Sequence, residues 1–353
     1  MMYFMKWAVV LQLTVSLLSG PLSGDVVVKN QGINEEDAKA VAESIDYEKI
    51  VDEHKPNELG QVMIVMYHNL VSDPSKEGYY ARTPENFKKD LIRLYSEGYV
   101  PITMTELVTG DFDVPAGKTP IVLTFDDGHP SNFQYLEDGT IDPSCVIGIF
   151  ESMEREYEGF GGKAIFYVNQ PVVFGNAPID ANKVEYLLTS GYELGNHTAG
   201  HVNLTEVDQE KQRSTIVKQA EYLEALNGNS SFHFSVPFGQ KPKDYFELVK
   251  GEGWLAPYRM VSSVNVGWNP IKSPFDTRFD AYDLNRITVG DDDYELNFWL
   301  DYFKDNPGRR FISDGLKDVI TINKETMEYL SEGASAQKRV LLYDEGGIEW
   351  KTK

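Results

Sequence analysis

The chain has 353 residues, enough for one large domain with appendages or for two smaller ones. Hydrophobic residues make up 41% and aromatics 12%, so a sizeable core is expected and wholesale disorder is not. Lys and Arg number 33 against 55 Asp and Glu, a formal charge of -22 that argues against nucleic acid or anionic lipid as partner and reads as a solvated acidic surface. The single cysteine, Cys145, excludes an intrachain disulfide and a thiolate metal cluster.

In chain order, residues 1–24 come first. Lys6 precedes an apolar run from Trp7 to Leu18, followed by the small residues Ser19, Gly20, Ser23 and Gly24. The run falls short of a comfortable membrane span of about 20 residues and fits the core of a signal peptide, with an uncleaved anchor as the alternative. The protein is therefore expected to be exported, extracellular or envelope-associated, with no integral membrane domain. Residues 25–60 are polar and acidic and read as a stalk with one short helix.

The packed domain is expected over 61–290. Val62 to Met66 is a short apolar run suited to a buried strand. Next, "TPENFKKDLIRLYSEGY" places Phe87, Leu91 and Leu94 at helical spacing, with Thr83 as N-cap, Pro84 in the first turn and Gly98 past the end. "VPITM" and "PIVLTF" read as strands, 131–158 as loop and helix, "KAIFYVN" as strand and "ANKVEYLLTSG" as helix. "YELGNHT", "DQEKQRSTIVKQAEYLEAL", "FHFSVPFG" and "KDYFELVKGEG" continue the alternation as strand, helix, strand and helix. Strands of this length separated by helices predict βα units and a parallel sheet, open or closed; about seven units fit, which is barrel-sized. From "GDDDYELNFWLDYF" the alternation breaks, so 291–353 are expected as a small C-terminal extension, with "KDVITINK" and "KRVLLYD" as its strands.

Ligands of parallel α/β folds sit beyond the carboxyl ends of the strands. Three predicted strands end there in polar residues: Tyr67-His68, Asp126-Asp127-Gly128, and the stretch holding His197 and His201. Two imidazoles at i, i+4 with a distant carboxylate make a metal-ligand set with room for water and substrate. Adjacent like charges at the end of a buried strand need a balancing cation, and a divalent metal supplies it. Neighbouring strand residues face opposite sides, so one of the two carboxylates can hold the ion while the other stands free.

"LTFDDG", "NHTAGH" and "SVPFG", supported by "VMYHNLV", "GGKAIFYVN" and "NRITV", closely resemble the polysaccharide deacetylase (NodB-homology) family of carbohydrate esterases over about 61–290. The resemblance implies a distorted barrel of the (β/α)7 type and metal-dependent removal of acetyl groups from an acetylated polysaccharide. Position by position it implies Asp126 as general base and Asp127, His197 and His201 as ligands of a divalent metal, zinc first and cobalt, nickel or manganese after it. It implies Pro237, Phe238 and Gly239 as a wall of the acetyl pocket, with the Phe238 amide facing the oxyanion.

Two departures stand out. The arginine that many members carry shortly before that proline is replaced here by Phe234, Ser235 and Val236, and no histidine follows His233 to serve as the family's late general acid. His68 and His129 are the remaining histidines nearest the predicted site; their plainer readings are a packing residue and a solvated loop residue. Arg286 is a candidate partner for a cleft carboxylate or a structural ion pair, and Trp268 a sugar-stacking or a core residue. The competing functions are a non-catalytic carbohydrate-binding protein, an O-acetyl (xylan-type) esterase, and a metal-dependent phosphatase or nuclease; the last is weakened by the acidity and by the lack of a phosphate-cradling loop. The sequons at Asn196, Asn203 and Asn229 read as chance.

Overall fold

The computed structural model describes residues 45–351. The expected signal, residues 1–24, and most of the expected stalk lie outside the described residues.

Seven parallel strands close into a barrel: β1 (Met63–Tyr67), β2 (Thr119–Asp127), β3 (Ile165–Val168), β4 (Glu193–Asn196), β5 (Ser231–Ser235), β6 (Arg259–Val266) and β7 (Leu284–Thr288). The ring runs β1-β7-β6-β5-β4-β3-β2 and returns to β1, which pairs with β2 from Met63↔Ile121 to Tyr67↔Phe125 and with β7 at Val65↔Ile287. This is the architecture that the strand–helix alternation predicts.

Period-two alternation sorts each strand between two cores. Met63, Val65, Tyr67, Leu123, Phe125, Phe166, Phe234 and Ile287 pack outward against helix residues such as Phe87, Leu91, Phe150, Leu187 and Leu223. Ile64, Val122, Ile165, Tyr167, Val264 and Leu284 belong to the second core, which continues into Phe311, Ile320 and Ile322 at the lower end of the barrel. By the same parity Thr124, Asp126, Ser235 and Arg286 point to the inside. Tyr167 takes so much of that space that a Cβ on Gly195 of the neighbouring strand would lie 2.4 Å from its ring, so only glycine fits there.

The helix Pro84–Ser96 is capped as the sequence predicts, with the Thr83 side chain accepting from the Asn86 amide and Phe87, Leu91 and Leu94 buried. The expected strand "VPITM" is shorter than predicted. Pairing stops at Pro101, because Thr103 and Glu106 form a capping box that starts the helix Met104–Thr109.

The described residues on either side of 61–290 pack onto the barrel. Leu296, Trp299, Leu300 and Phe303 of the helix Leu296–Asp305 pack into the outer core, an apolar face that the breakdown of alternation hid. Beyond it, β8 (Val319–Asn323) and β9 (Arg339–Asp344) run parallel, and β10 (Gly347–Trp350) returns antiparallel on β9. The described end of the expected stalk lies on this sheet. Val51 of the helix Tyr47–His54 contacts Val319 and Leu341, and the Asn57 side chain donates to the Gly308 and Arg310 carbonyls.

Two buried acids sit at this junction. The Glu58 carboxylate accepts from the Thr321 amide at 2.7 Å, and Asp314 accepts from the Thr321 hydroxyl at 2.7 Å. Burial pushes both carboxyls up, Asp314 to about 6, and Asp314 raises Glu58 further. A carboxyl whose folded-state pKa is raised contributes stability at low pH and loses it as pH rises through the folded value. In thermal melts the Tm of the parent minus that of Asp314→Asn should therefore fall between about pH 4 and pH 7, leaving the variant the more stable at pH 7; a difference that does not change with pH would remove Asp314 as the cause.

Candidate active site

The upper mouth of the barrel holds a cavity of about 380 Å³ lined by residues in the carboxyl-terminal halves of β1, β2, β6 and β7 and by residues that follow β1, β2, β4 and β5. His68, Asp126, Asp127, His197, His201, Phe238, Gly239 and Arg286 all line it, as does His129, whose ring is braced by Ser131. Trp268 does not: it is 57% exposed and its backbone carbonyl accepts from the Trp299 indole. Pro237 is buried and does not line it.

Asp127, His197 and His201 converge. Their donor atoms all lie within 4.8 Å of one another, with Asp127 Oδ1 3.5 Å from His197 Nε2 and 3.4 Å from His201 Nε2. The backbone makes this possible by leaving ordinary strand geometry. Asp127 has φ 72°, and Thr198 and His201 have φ 64° and 51°, all in the left-handed region that non-glycine residues occupy at a cost of roughly 1–2 kcal/mol. His197 Nδ1 lies 2.8 Å from the Ser235 carbonyl, which can only accept. Nδ1 therefore carries the proton, and the lone pair of Nε2 faces Asp127. Burial pushes both imidazoles down, and His197 lowers His201 further, so the rings are neutral near pH 7, the form that ligates. A lone pair opposite a carboxylate attracts nothing unless a cation lies between them. The donor set thus fits a divalent ion with nitrogen and oxygen ligands. The Asn169 amide donates to Asp127 Oδ1 at 3.3 Å, a support from outside the triad.

Asp126 is treated differently. It is 2% exposed and gripped by Arg286, which is 0% exposed: Nη1 donates to Oδ1 at 2.6 Å and Nη2 to Oδ2 at 2.7 Å. Arg286 is fixed in turn by Thr124 Oγ1, Ser235 Oγ and the Asn265 carbonyl, and the Ser235 hydroxyl also donates to Asp126. Burial pushes the Asp126 carboxyl up, but Arg286 and the neighbouring imidazoles outweigh it and hold it far below the usual carboxylate range. Oδ2 is the oxygen turned to the other groups, 3.8 Å from His197 Nε2 and 3.9 Å from His68 Nε2. Arg286 thus makes the contact for which the sequence lacks an arginine before Pro237. It reaches Asp126 from β7, two places round the ring from β2, with β1 between.

His68 sits on the rim with Nε2 toward Asp126, its Nδ1 buried without a partner and its carbonyl held by the Asn132 amide. Burial pushes its pKa down, partly offset by Asp126. Phe238 has φ 59° and lays its ring 4.4 Å from that of His201, while staying 57% exposed. Sequence reasoning missed Ser235, Thr124 and Asn169, whose roles depend on strand parity across the barrel, and Tyr80, which no motif marks.

Calorimetric titration of the metal-free protein with zinc should give one ion per chain at this triad. His201→Ala should abolish that binding, and Asn169→Ala should weaken it by about tenfold, the low end for a residue that orients a ligand. Unchanged affinity in His201→Ala would place the ion elsewhere.

Residues 151–254 match the family model described as polysaccharide deacetylase, a stretch that holds β3 to β5 with His197, His201 and the 237–239 turn but neither carboxylate. The chain is 27% identical over 186 residues to the peptidoglycan-N-acetylglucosamine deacetylase of Bacillus cereus, covering 53% of this chain and 60% of that relative's length. Among solved structures, the deacetylase PplD of Streptococcus pyogenes aligns with TM-score 0.50 and 18% identity over 65% of this chain and 92% of that one. BC0361, a polysaccharide deacetylase from Bacillus cereus, aligns with TM-score 0.51 and 16% identity over 68% of each chain. At those identities the two structures speak to the fold, and it is the same closed barrel. The chain therefore resembles polysaccharide deacetylases over the matched segment 151–254 and shares their barrel fold.

Proposed function

We propose that this protein is a metal-dependent hydrolase that removes acetyl groups, N-acetyl in the first place, from a cell-surface or extracellular polysaccharide. The observation that carries the reading is the division of labour between two adjacent carboxylates: Asp127 faces two neutral imidazoles, while Asp126 is locked in place by Arg286.

Asp127, His197 and His201 would hold the cation, zinc in the first place, which supplies polarisation of the acetyl carbonyl and a lowered pKa for attacking water. Asp126 Oδ2 takes the proton of that water. A carboxylate held so low is a weak base, suited only to a water already made acidic. Arg286 and Ser235 fix the carboxylate plane, so the receiving lone pair needs no reorientation. The Phe238 amide is the proposed dipole facing the oxyanion, and Val236, Met66 and Val266 give the acetyl methyl an apolar wall.

As the carbon–nitrogen bond breaks, the departing nitrogen needs a proton. His68 is the group proposed to relay it: its Nε2, 3.9 Å from Asp126 Oδ2, takes up the proton that this oxygen has received from water and passes it to the nitrogen, leaving both side chains as they began. Water adds its oxygen to the acyl carbon, acetate leaves, and the sugar keeps a free amine. Export, which would bring the enzyme to such a substrate, rests on the signal-like residues 1–24. No helix among the described residues is long and apolar enough to cross a membrane.

Zinc-loaded full-length protein should release acetate from N-acetylglucosamine oligomers and lose this activity with a chelator. Asp126→Asn and His68→Ala should each lower kcat at least about a hundredfold while metal content stays at one ion per chain. A metal-loaded protein that releases no acetate would overturn the deacetylase reading. Full kcat in His68→Ala would move the proton-donor role to another group.

A further inference from the structure

The segment that follows β1 has a feature that the reaction does not use. From Asn69 the chain leaves the barrel mouth and returns at Ala81–Arg82, which pair with Asn69–Leu70. The return is pinned. Arg82, buried, makes two hydrogen bonds to buried Asp90, and the Glu77 carboxylate accepts from the Thr83 amide and the Asn86 side chain. This strap carries Tyr80 to the cavity wall. The Tyr80 ring meets His68 edge-on at 4.7 Å and an interplanar angle of 71°, yet 58% of the residue is exposed.

Phe238 forms the matching feature. It too lines the cavity, packs on one site residue, His201, and leaves most of its surface in solvent. Phe238 follows β5 and Tyr80 follows β1. These strands are three places apart in a ring of seven, the largest separation the ring allows. Two exposed aromatic rings therefore line the cavity, one against His68 after β1 and the other against His201 after β5. Aromatic rings open to water at a cavity mouth offer an apolar face to a ligand. Flat rings suit the C–H faces of pyranoses.

Building on the deacetylase reading, we propose that Tyr80 is a specificity-determining residue that stacks on a sugar ring next to the one being deacetylated. The site is thereby selective for a pyranose chain over a single acetylated sugar. The ring, not the hydroxyl, is the element that acts.

Calorimetric binding of N-acetylglucosamine hexamer and monomer to zinc-loaded wild type, Tyr80→Ala and Tyr80→Phe tests this without depending on turnover. Wild type should bind the hexamer at least about tenfold more tightly than the monomer. Tyr80→Ala should weaken hexamer binding about fivefold to tenfold, the range of an aromatic contact, and leave monomer binding within about twofold; Tyr80→Phe should match wild type. Equal hexamer affinity in Tyr80→Ala, or an equal loss for monomer and hexamer, overturns the proposal. Superimposable thermal melts are expected because the ring is mostly exposed. Acetate release measured on the same samples reports separately on the deacetylase reading, so the two can fail independently.

Discussion

The buried ion pair between Asp126 and Arg286 is the constraint on which the rest of the site depends. Neither side chain is more than marginally exposed, and removing one partner from such a pair typically costs about 3–5 kcal/mol, because the other is left charged and dry. The barrel meets this cost with completeness of pairing. Both carboxylate oxygens are bonded to the guanidinium, and Thr124, Ser235 and the Asn265 carbonyl occupy further polar positions around it. Because Arg286 already neutralises Asp126, the negative charge of Asp127 next door is the one left to be balanced from outside the chain. The pair therefore explains why two consecutive aspartates tolerate each other and why they differ in chemistry.

The same interior is graded from bottom to top. Its lower part is filled by Ile64, Val122, Ile165 and Val264 and sealed by Phe311, Ile320 and Ile322. Its upper part is where parity delivers Thr124, Asp126, Ser235 and Arg286 to the mouth. An apolar plug beneath a polar site keeps the local dielectric low, which strengthens every charge interaction above it. Residues 57–60 and 310–323 contribute to that seal, joined by the bridge between Asn57 and Ile312 and by the bonds of Glu58 and Asp314 to Thr321.

What the sequence made legible follows from locality. Asp126-Asp127-Gly128 after an apolar run, and His197 with His201 four residues on, are short patterns at strand ends, and the barrel mouth is where they meet. Arg286 was visible only as a candidate, since its partner lies 160 residues away and nothing local distinguishes a lumen arginine from a surface one. Tyr80 carried no signal, because its position depends on a strap pinned by Arg82–Asp90, a tertiary contact. The strand expected at "VPITM" ends at Pro101, because the capping box of Thr103 and Glu106 outweighs β-branched propensity and starts a helix. Trp268 shows the converse limit: an aromatic two residues past a cavity-lining valine, Val266, does not itself line the cavity.

Anomalous diffraction from zinc-soaked crystals, recorded at the zinc edge, tests the central claim most directly. A single strong peak bonded by Asp127, His197 and His201, with both Asp126 oxygens still on Arg286, is the predicted result. A peak coordinated by Asp126, or no peak at the triad, would contradict the division of roles between the two carboxylates.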